Sequence, residues 1–196
     1  MSGEDARCSI VDLAERLLPG LGAQIALRGG AWLDGRRVAE PDMRPQAGQQ
    51  LVLRPPPEAG YTNCTLVAAD IAYEDTWLVA LHKRLGWYVG ATPWDDHGHT
   101  LAAAARYLRH RDGSAPPLHL AHQLDRDTSG ILLISKAPMA NPQLTAAFAG
   151  GQVEKLYRAL VLGAPPEAGV VRSGHGRAAS GRWRLYPLDE LGRSLP

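Results

Sequence analysis

Nine residues near the middle of the chain combine two acids, a cation and two hydroxyls in one stretch, His122-Gln123-Leu124-Asp125-Arg126-Asp127-Thr128-Ser129-Gly130. Apolar runs flank this stretch, LHLA before it and ILLIS after it. A short apolar run bounded by turn signals is typical of a buried strand. We therefore expect the polar stretch to join two core strands. Its ordinary interpretation is a tight turn, because Asp, Ser and Thr side chains readily bind nearby backbone groups.

A longer pattern around this stretch favours a functional interpretation. HQLDRDTSGILLISK resembles the HRLDRxTSGLLLLAK signature of the RluA-type RNA pseudouridine synthases. Upstream, IAYEDTWLVALHKRLGWYVGATP is similar to a second segment of that family, and downstream VEKLYRALVLG is similar to a third. The resemblance covers roughly residues 66 to 163 and implies the catalytic domain of an enzyme that isomerises uridine in ribosomal or transfer RNA.

The resemblance also implies roles for individual residues. Asp125 takes the place of the catalytic aspartate, and Tyr157 that of the active-site tyrosine, expected to stack on a flipped-out uracil. Arg126 and Lys155 are candidate contacts to phosphate or supports of the turn. Gln123 stands where the family usually has an arginine that enters the gap left by the flipped base. Asp127 is expected to cap the turn.

The chemistry of the reaction explains why a carboxylate is needed and why no cofactor is expected. The bond from ribose C1′ to N1 breaks, the uracil rotates, and C1′ joins C5, with no oxidant, reductant or energy source. Positive character at the sugar resembles glycoside chemistry, in which a carboxylate at C1′ is the usual catalytic group. Direct attack on C1′ and removal of a sugar proton both stay open.

Composition sets broad limits on the chain. A length of 196 residues with 45% hydrophobic and 21% charged residues is typical of one globular domain, or of a small and a medium one. No apolar run approaches the roughly eighteen residues of a membrane helix, and the polar start MSGEDARCS lacks the order of a signal peptide, so we expect a cytoplasmic protein. The two cysteines are too few for a zinc site. A net charge of +1 does not indicate nucleic-acid binding by itself, although arginines cluster along the chain.

The first part of the chain predicts a small separate module. Residues 9–18 have the apolar spacing of an amphipathic helix, with Ser9 as N-cap and a pattern close to a capping box, in which Asp12 stands where Glu is usual. Asp34-Gly35 predicts a hairpin, and residues 49–54 a further strand. This order resembles a small α/β RNA-binding domain of the S-four type. Its usually basic second helix is weak here, because LGAQIALRGG carries only Arg28.

The predicted organisation is therefore a module over residues 1–54, a proline-rich linker over 55–60 and a catalytic domain over 61–196. Within that domain the patterns predict strands near 67–73, 77–82, 87–91, 118–123, 130–136 and 154–162, and helices near 100–109, capped by Thr100, and 140–149. This strand-rich order favours an α+β fold with a mixed, largely antiparallel sheet and flanking helices.

The end of the chain raises an alternative. The family's catalytic domain continues with a G-R-x-H-Q-I-R-x-H segment whose arginine pairs with the catalytic aspartate, and SGHGRAASGRWRLYPLDELGRSLP does not supply it. We therefore expect a truncated synthase, with a non-catalytic RNA-binding remnant as the alternative. Two metal interpretations are disfavoured: Asp125-Arg126-Asp127 as the DxD of a nucleotide-sugar transferase, and His97-Gly98-His99 as a metal site instead of a loop.

Overall fold

The capping box predicted at the first helix is present. In the computed structural model, which describes residues 7–57, 60–164, 166–170, 172–177 and 183–187, helix α1 spans Ile10–Leu17. The Asp12 backbone N–H donates to Ser9 Oγ at 3.1 Å, and the Asp12 carboxylate accepts from the Ser9 backbone N–H at 3.3 Å. Two of the four N–H groups that a helix start leaves without partners are thus satisfied reciprocally.

Helix α1, helix α2 (Gly22–Leu27) and a three-stranded antiparallel sheet form the first part of the chain. Its strands are β1 (Ala31–Leu33), β2 (Arg36–Arg37) and β3 (Leu51–Leu53), in the order β2-β1-β3. Side chains alternate between the two faces of a strand. Ala31 and Leu33 therefore pack with Ile10 and Ala14 beneath α1, while Trp32 faces the other way.

The turn between β1 and β2 is the hairpin that Asp34-Gly35 predicts. Asp34 has φ 49° and Gly35 φ 78°, both in the left-handed region that two-residue hairpin turns with the twist of the flanking strands require. The hairpin prediction is confirmed, and β3 falls within the strand predicted at 49–54.

A second, four-stranded antiparallel sheet contains the polar stretch. After a short 3₁₀ helix, Ala68–Asp70, its strands are β4 (Ile71–Glu74), β5 (Leu78–Lys83), β6 (His119–Leu120) and β7 (Gly130–Ser135). Their order is β4-β5-β7-β6, with β5 and β7 paired from Leu78↔Ser135 to Lys83↔Gly130. Helix α3 (Thr100–Asp112) contributes Ala103 and Ala104 to the core over this sheet, and helix α4 (Asn141–Ala149) follows β7. The α+β fold class with antiparallel sheets is confirmed.

Two predictions around residues 87–100 are wrong. Residues 87–91 do not form a strand, because their backbone serves the start of α3: the carbonyl of Tyr88 accepts from both the N–H and the hydroxyl of Thr100, each at 2.8 Å. The N-cap of α3 is His99 instead of Thr100, with His99 Nδ1 accepting from the Ala102 N–H at 3.2 Å. An imidazole nitrogen at this position does what a hydroxyl was expected to do.

The chain divides into two units, Met1–Glu154 and Lys155–Pro196. In the second, strands β8 (Gly174–Arg177) and β9 (Trp183–Tyr186) pair in antiparallel fashion, and neither was predicted from the sequence. The strand predicted at 154–162 is wrong, because these residues pair with no other strand that the structure describes and their side chains are exposed. The linker predicted at 55–60 is not the division between these units, and its role as a domain boundary stays a prediction. None of the described helices is long and apolar enough to cross a membrane.

An ion-pair cluster fastens β4 to α3 and to the residue after β7. The Glu74 carboxylate accepts from Arg111 Nη1 at 2.6 Å and from Lys136 Nζ at 2.5 Å. These charge-assisted hydrogen bonds, above all those of Arg111, lower the pKa of Glu74 to about 2.

We expect Glu74→Gln to lower the free energy of unfolding by about 1–2 kcal/mol at pH 7, since two cations lose a charged acceptor and Arg111 stays partly solvated. Because the pKa of Glu74 is depressed on folding, its contribution is complete above about pH 4.5 and disappears as the pH falls towards 2. Urea denaturation across this range measures the difference. Glu40→Gln, at an exposed position, is the matched control. A difference that stays constant from pH 7 to pH 2 would contradict the prediction.

Candidate functional site

The polar stretch His122–Gly130, here called the signature turn, connects β6 to β7. Its burial alternates: Leu124 packs against the core of the four-stranded sheet, while Gln123 and Asp125 are exposed. Since residues i and i+2 of an extended segment share a side, Gln123 and Asp125 point to the same side, away from the core. The chain then turns, with the Thr128 N–H donating to the Asp125 carbonyl at 3.1 Å.

His122 anchors the beginning of the signature turn. Its Nε2 accepts from the Leu133 N–H of β7 at 3.0 Å, and its ring stacks on Phe148 of α4, with 4.5 Å between ring centroids and 21° between planes. A ring nitrogen that accepts a hydrogen bond carries no proton, so the neutral imidazole holds its proton on Nδ1. Sequence reasoning did not select His122 individually, although it opens the signature.

Lys83, at the end of β5, binds the backbone of the signature turn. Only 1% of the residue is exposed, and its ammonium donates to three backbone carbonyls: Trp87 at 2.8 Å, Arg126 at 3.1 Å and Arg84 at 3.3 Å. Burial lowers the pKa of Lys83, and the carboxylates of Asp127 and Asp125 act in the opposite direction. A buried positive charge therefore lies close enough to the turn to interact with both acids.

Lys83 was not among the site residues predicted from the sequence. The signal that would have found it is a lysine ending an otherwise apolar strand, LVALHK, inside a segment that resembles the family. Lysine is almost never fully buried unless paired, so a lysine in such a strand indicates a specific set of acceptors.

The Asp125 carboxylate is exposed and accepts no hydrogen bond or ion pair from the part of the chain that the structure describes. Arg126 lies beside it, with its guanidinium 5.8 Å from the centroid of the Tyr88 ring and its Nε 3.4 Å from Asp127. The predicted capping role of Asp127 is wrong, because its carboxylate faces Arg126 instead of a backbone N–H and is 74% exposed. The turn thus presents one open carboxylate, Asp125, next to a cation.

The other predicted site residues belong to the second unit. Lys155 and Tyr157 lie in an exposed segment, and 59% of Tyr157 is accessible. The expectation that Tyr157 and Asp125 act on the same uridine stays a prediction.

Metal ligation by His97 and His99 finds no support in the local geometry. Buried His99 uses Nδ1 to cap α3, and burial lowers its pKa despite the nearby carboxylates of Asp96 and Asp95. Among the residues with described positions, no group of three or more His, Cys, Asp or Glu side chains is arranged to hold a metal ion.

Residues 78–184, more than half of the chain, match the family described as RNA pseudouridylate synthase. The chain belongs to this family. The match includes β5 with Lys83, the whole signature turn and Tyr157. The region that matches the RNA pseudouridylate synthase family therefore contains every site residue predicted from the sequence: Gln123, Asp125, Arg126, Lys155 and Tyr157.

Named pseudouridine synthases are similar over a larger part of the chain. RNA pseudouridine synthase 1 of Oryza sativa is 37% identical over 154 residues, which are 78% of this chain and 43% of the rice protein. Ribosomal large subunit pseudouridine synthase D of Pseudomonas aeruginosa is 28% identical over 169 residues, 83% of this chain and 52% of that protein. The chain spans about half the length of the curated synthases it matches.

Among solved structures, human RNA Pseudouridylate Synthase Domain Containing 4 matches with 25% identity and a TM-score of 0.37, over 43% of this chain and 31% of the human chain. At this score the structural similarity adds nothing to the family assignment, which depends on the pseudouridylate synthase sequence match.

Proposed function

We propose that this chain carries the catalytic centre of an RNA pseudouridine synthase, which isomerises uridine to pseudouridine in structured RNA, with Asp125 as the catalytic carboxylate. The observation that carries the proposal is the state of Asp125. It is an exposed carboxylate with no hydrogen-bond or ion-pair partner among the described residues, and it begins a turn that His122 and Lys83 hold in place through hydrogen bonds. A reacting carboxylate has to be held in position while its oxygens stay accessible to the substrate.

Lys83 supports this role electrostatically. Asp125 must be ionised, whether it attacks C1′ or removes a sugar proton, and a nearby positive charge favours the ionised form. Because the Lys83 ammonium is held by three neutral carbonyls instead of a carboxylate, its charge is not cancelled by a partner. No cofactor enters the proposed reaction, since bond breaking and bond formation balance within the nucleotide.

The remaining site residues have proposed roles in substrate binding. A uridine in structured RNA is reached by base flipping, and an aromatic ring stabilises the extruded base by roughly 1–3 kcal/mol. We assign this stacking role to Tyr157. We assign to Gln123 a hydrogen-bonding role in the gap left by the base, and its exposure on the same side as Asp125 supports this proposal. Arg126 and Lys155 are proposed phosphate contacts.

The proposed substrates are ribosomal or transfer RNA, in keeping with the names of the relatives, which include a tRNA pseudouridine synthase C of Salmonella typhimurium, 35% identical over 94 residues. A cytoplasmic location belongs to the same proposal. Loss of individual pseudouridines from either RNA pool in a deletion strain, mapped at nucleotide resolution, identifies the substrate. An unchanged pseudouridine pattern in both pools would contradict the substrate proposal.

The direct test of the activity is release of tritium from RNA that contains 5-tritiated uridine, because C5 loses its hydrogen when it joins C1′. We expect release by the wild-type protein that continues in EDTA, whereas a DxD transferase would require Mg²⁺ or Mn²⁺. RNA binding without release would favour the alternative, a non-catalytic RNA-binding remnant. This alternative is supported by Gln123, because the family usually has a charged arginine at this position and glutamine is neutral.

A further inference from the structure

Two arginines flank a tryptophan on the outer face of the first sheet. Arg37 and Val52 are the register partners of Trp32 on the neighbouring strands, and Arg54, two residues after Val52, lies on the same face. The guanidinium carbons of Arg37 and Arg54 are 4.9 and 4.6 Å from the indole centroid. This Arg–Trp–Arg arrangement faces away from α1, which covers the opposite side of the sheet.

The loop over residues 92–98, before α3, holds this face in place. Trp32 Nε1 donates to the Pro93 carbonyl at 2.8 Å, and Arg37 donates to the carbonyl of Thr92. The Arg28 guanidinium binds the Asp95 carboxylate at 2.5 Å, at a site where Asp95 is almost completely buried. The first sheet is therefore joined to the domain that carries the signature turn by hydrogen bonds and a buried ion pair.

Aromatic contacts continue from this junction to the signature turn. Trp94, next to Pro93, meets Tyr88 edge to face, with 5.8 Å between ring centroids. The Arg126 guanidinium then lies 5.8 Å from the centroid of Tyr88. The aromatic and guanidinium groups thus form two sets, Arg54, Trp32 and Arg37 on the first sheet and Trp94, Tyr88 and Arg126 towards the signature turn, joined by the backbone of residues 92–94.

The arginines beside these rings differ from other arginines of the chain in whether a carboxylate pairs with them. Arg28, Arg84 and Arg111 each bind a carboxylate of the fold, on Asp95, Asp70 and Glu74 respectively. Among the residues whose contacts are described, Arg54 and Arg37 have no carboxylate partner, and Arg126 has only the 3.4 Å contact to exposed Asp127. Uncompensated guanidinium groups beside aromatic rings are suited to a ligand in which anionic groups alternate with flat rings.

We propose that Arg54, Trp32, Arg37, Trp94, Tyr88 and Arg126, here called the Arg–Trp strip, bind unpaired nucleotides of the RNA that flank the target uridine. The guanidinium groups of Arg54 and Arg126 contact phosphates, and the accessible aromatic surfaces stack on bases. Arg37 adds positive charge while its terminal nitrogens donate to the carbonyls of Gly29 and Thr92. An unpaired strand fits better than a duplex, whose bases already stack on one another. The position of the strip relative to the target rests on the proposed function, whereas its affinity for RNA does not.

The first test compares two single-charge variants of the full chain in binding to an RNA stem-loop with a single-stranded flank. Arg54→Ala removes a cation of the strip and leaves the backbone N–H of Arg54 bonded to Gly30. Arg44→Ala is the matched control, since exposed Arg44 follows Met43, whose carbonyl binds the start of α1 on the opposite side of the sheet. Fluorescence anisotropy at several salt concentrations gives the dissociation constant and its salt slope.

We expect Arg54→Ala to raise the dissociation constant about 5-fold or more and to reduce the salt slope by about 1, as loss of one phosphate contact does. Arg44→Ala should change the constant less than about 2-fold. Equal effects of the two variants, or no RNA binding by the wild type, would overturn the proposal.

A second variant separates base stacking from general attraction of anions. Tyr88→Leu keeps a bulky apolar side chain but removes the ring, and we expect it to weaken binding of the flanked stem-loop about 5-fold while leaving a blunt duplex within 2-fold. An equal loss for both RNAs, or competition by polyglutamate as effective as by the flanked RNA, would overturn the proposal in favour of a general polyanion or acidic-protein surface.

Asp125→Asn distinguishes failure of this proposal from failure of the proposed function. We expect this variant to bind the flanked RNA as the wild type does, because Asp125 is not part of the strip. If tritium release is absent in every variant while Arg54→Ala still weakens binding, the strip stands and the synthase assignment fails. If release is normal and Arg54→Ala behaves like Arg44→Ala, the strip fails alone.

Discussion

Substitution of Asp125 by asparagine is expected to lower tritium release from 5-tritiated uridine in RNA by about four orders of magnitude, as removal of an essential reacting group does in other enzymes. Asparagine preserves the shape of the side chain but supplies neither a nucleophilic oxygen nor a base. Because Asp125 is exposed and no described residue forms a hydrogen bond or ion pair with its carboxylate, the substitution removes only its electrostatic interaction with Lys83. Single-turnover kinetics with excess enzyme measures the chemical step directly.

Asp127→Asn is the matched control for this experiment. It removes the other acid of the same turn, at a side chain that is 74% exposed, and we expect it to change the rate less than about 10-fold. Far-ultraviolet circular dichroism and melting temperature should be the same for both variants. An Asp125→Asn protein that keeps more than a tenth of the wild-type rate would remove the basis of the proposed function.

Substitution of Lys83 by methionine is expected to have the largest effect on stability. Methionine has a similar length but no donor, so the carbonyls of Arg84, Trp87 and Arg126 each lose a charge-assisted hydrogen bond. The Arg126 carbonyl keeps its bond from the Gly86 N–H, and the Arg84 carbonyl keeps a longer one from the Trp87 N–H. We expect the free energy of unfolding to fall by about 3 kcal/mol, since hydrogen bonds to a charged group contribute about 1.5–3 kcal/mol each and the Trp87 carbonyl keeps no other described donor. Urea denaturation measures the change, and Lys155→Met, at an exposed position, should shift it by less than about 0.5 kcal/mol.

The same variant tests whether Lys83 positions the signature turn. At a temperature where wild type and Lys83→Met are both fully folded, we expect tritium release to fall at least about 10-fold, with a greater effect on kcat than on KM. Arg126, which supplies one of the three carbonyls, adjoins Asp125, so loss of this support displaces the reacting group. A destabilised protein with an unchanged kcat would show that Lys83 serves stability alone.

The sequence was sufficient to predict the local elements that have strong signals of their own. Ser9 and Asp12 specify the start of α1, Asp34-Gly35 specifies a hairpin, and the apolar runs on either side of the signature turn specify where it lies. The strand predicted at 118–123 is longer than β6, in which only His119–Leu120 pair with β7. Beyond Leu120 the extended chain continues, but His122 binds Leu133 through its side chain instead of the backbone.

Interactions between residues distant in sequence were not predictable. Arg28 was noted only as the single basic residue of a weak helix, whereas the structure pairs it with Asp95, 67 residues away. The signature that identified Asp125 likewise does not include Lys83, whose role depends on three carbonyls brought together by folding. Local sequence patterns indicate secondary-structure propensity and apolar periodicity, but they do not identify which distant residue will pair with a buried charge. The likeness of the first module to an S-four-type domain stays a prediction.

The packing around Gly98 has a consequence for chimeric synthases. A methyl group at this position would overlap the Thr62 carbonyl, the Arg28 guanidinium and the Asp95 carboxylate, so the ion pair closes only over a residue without a side chain. An N-terminal module taken from another enzyme would therefore need an arginine at the position of Arg28, to pair with Asp95 over Gly98. Without that arginine, the buried carboxylate of Asp95 would have no cation to pair with.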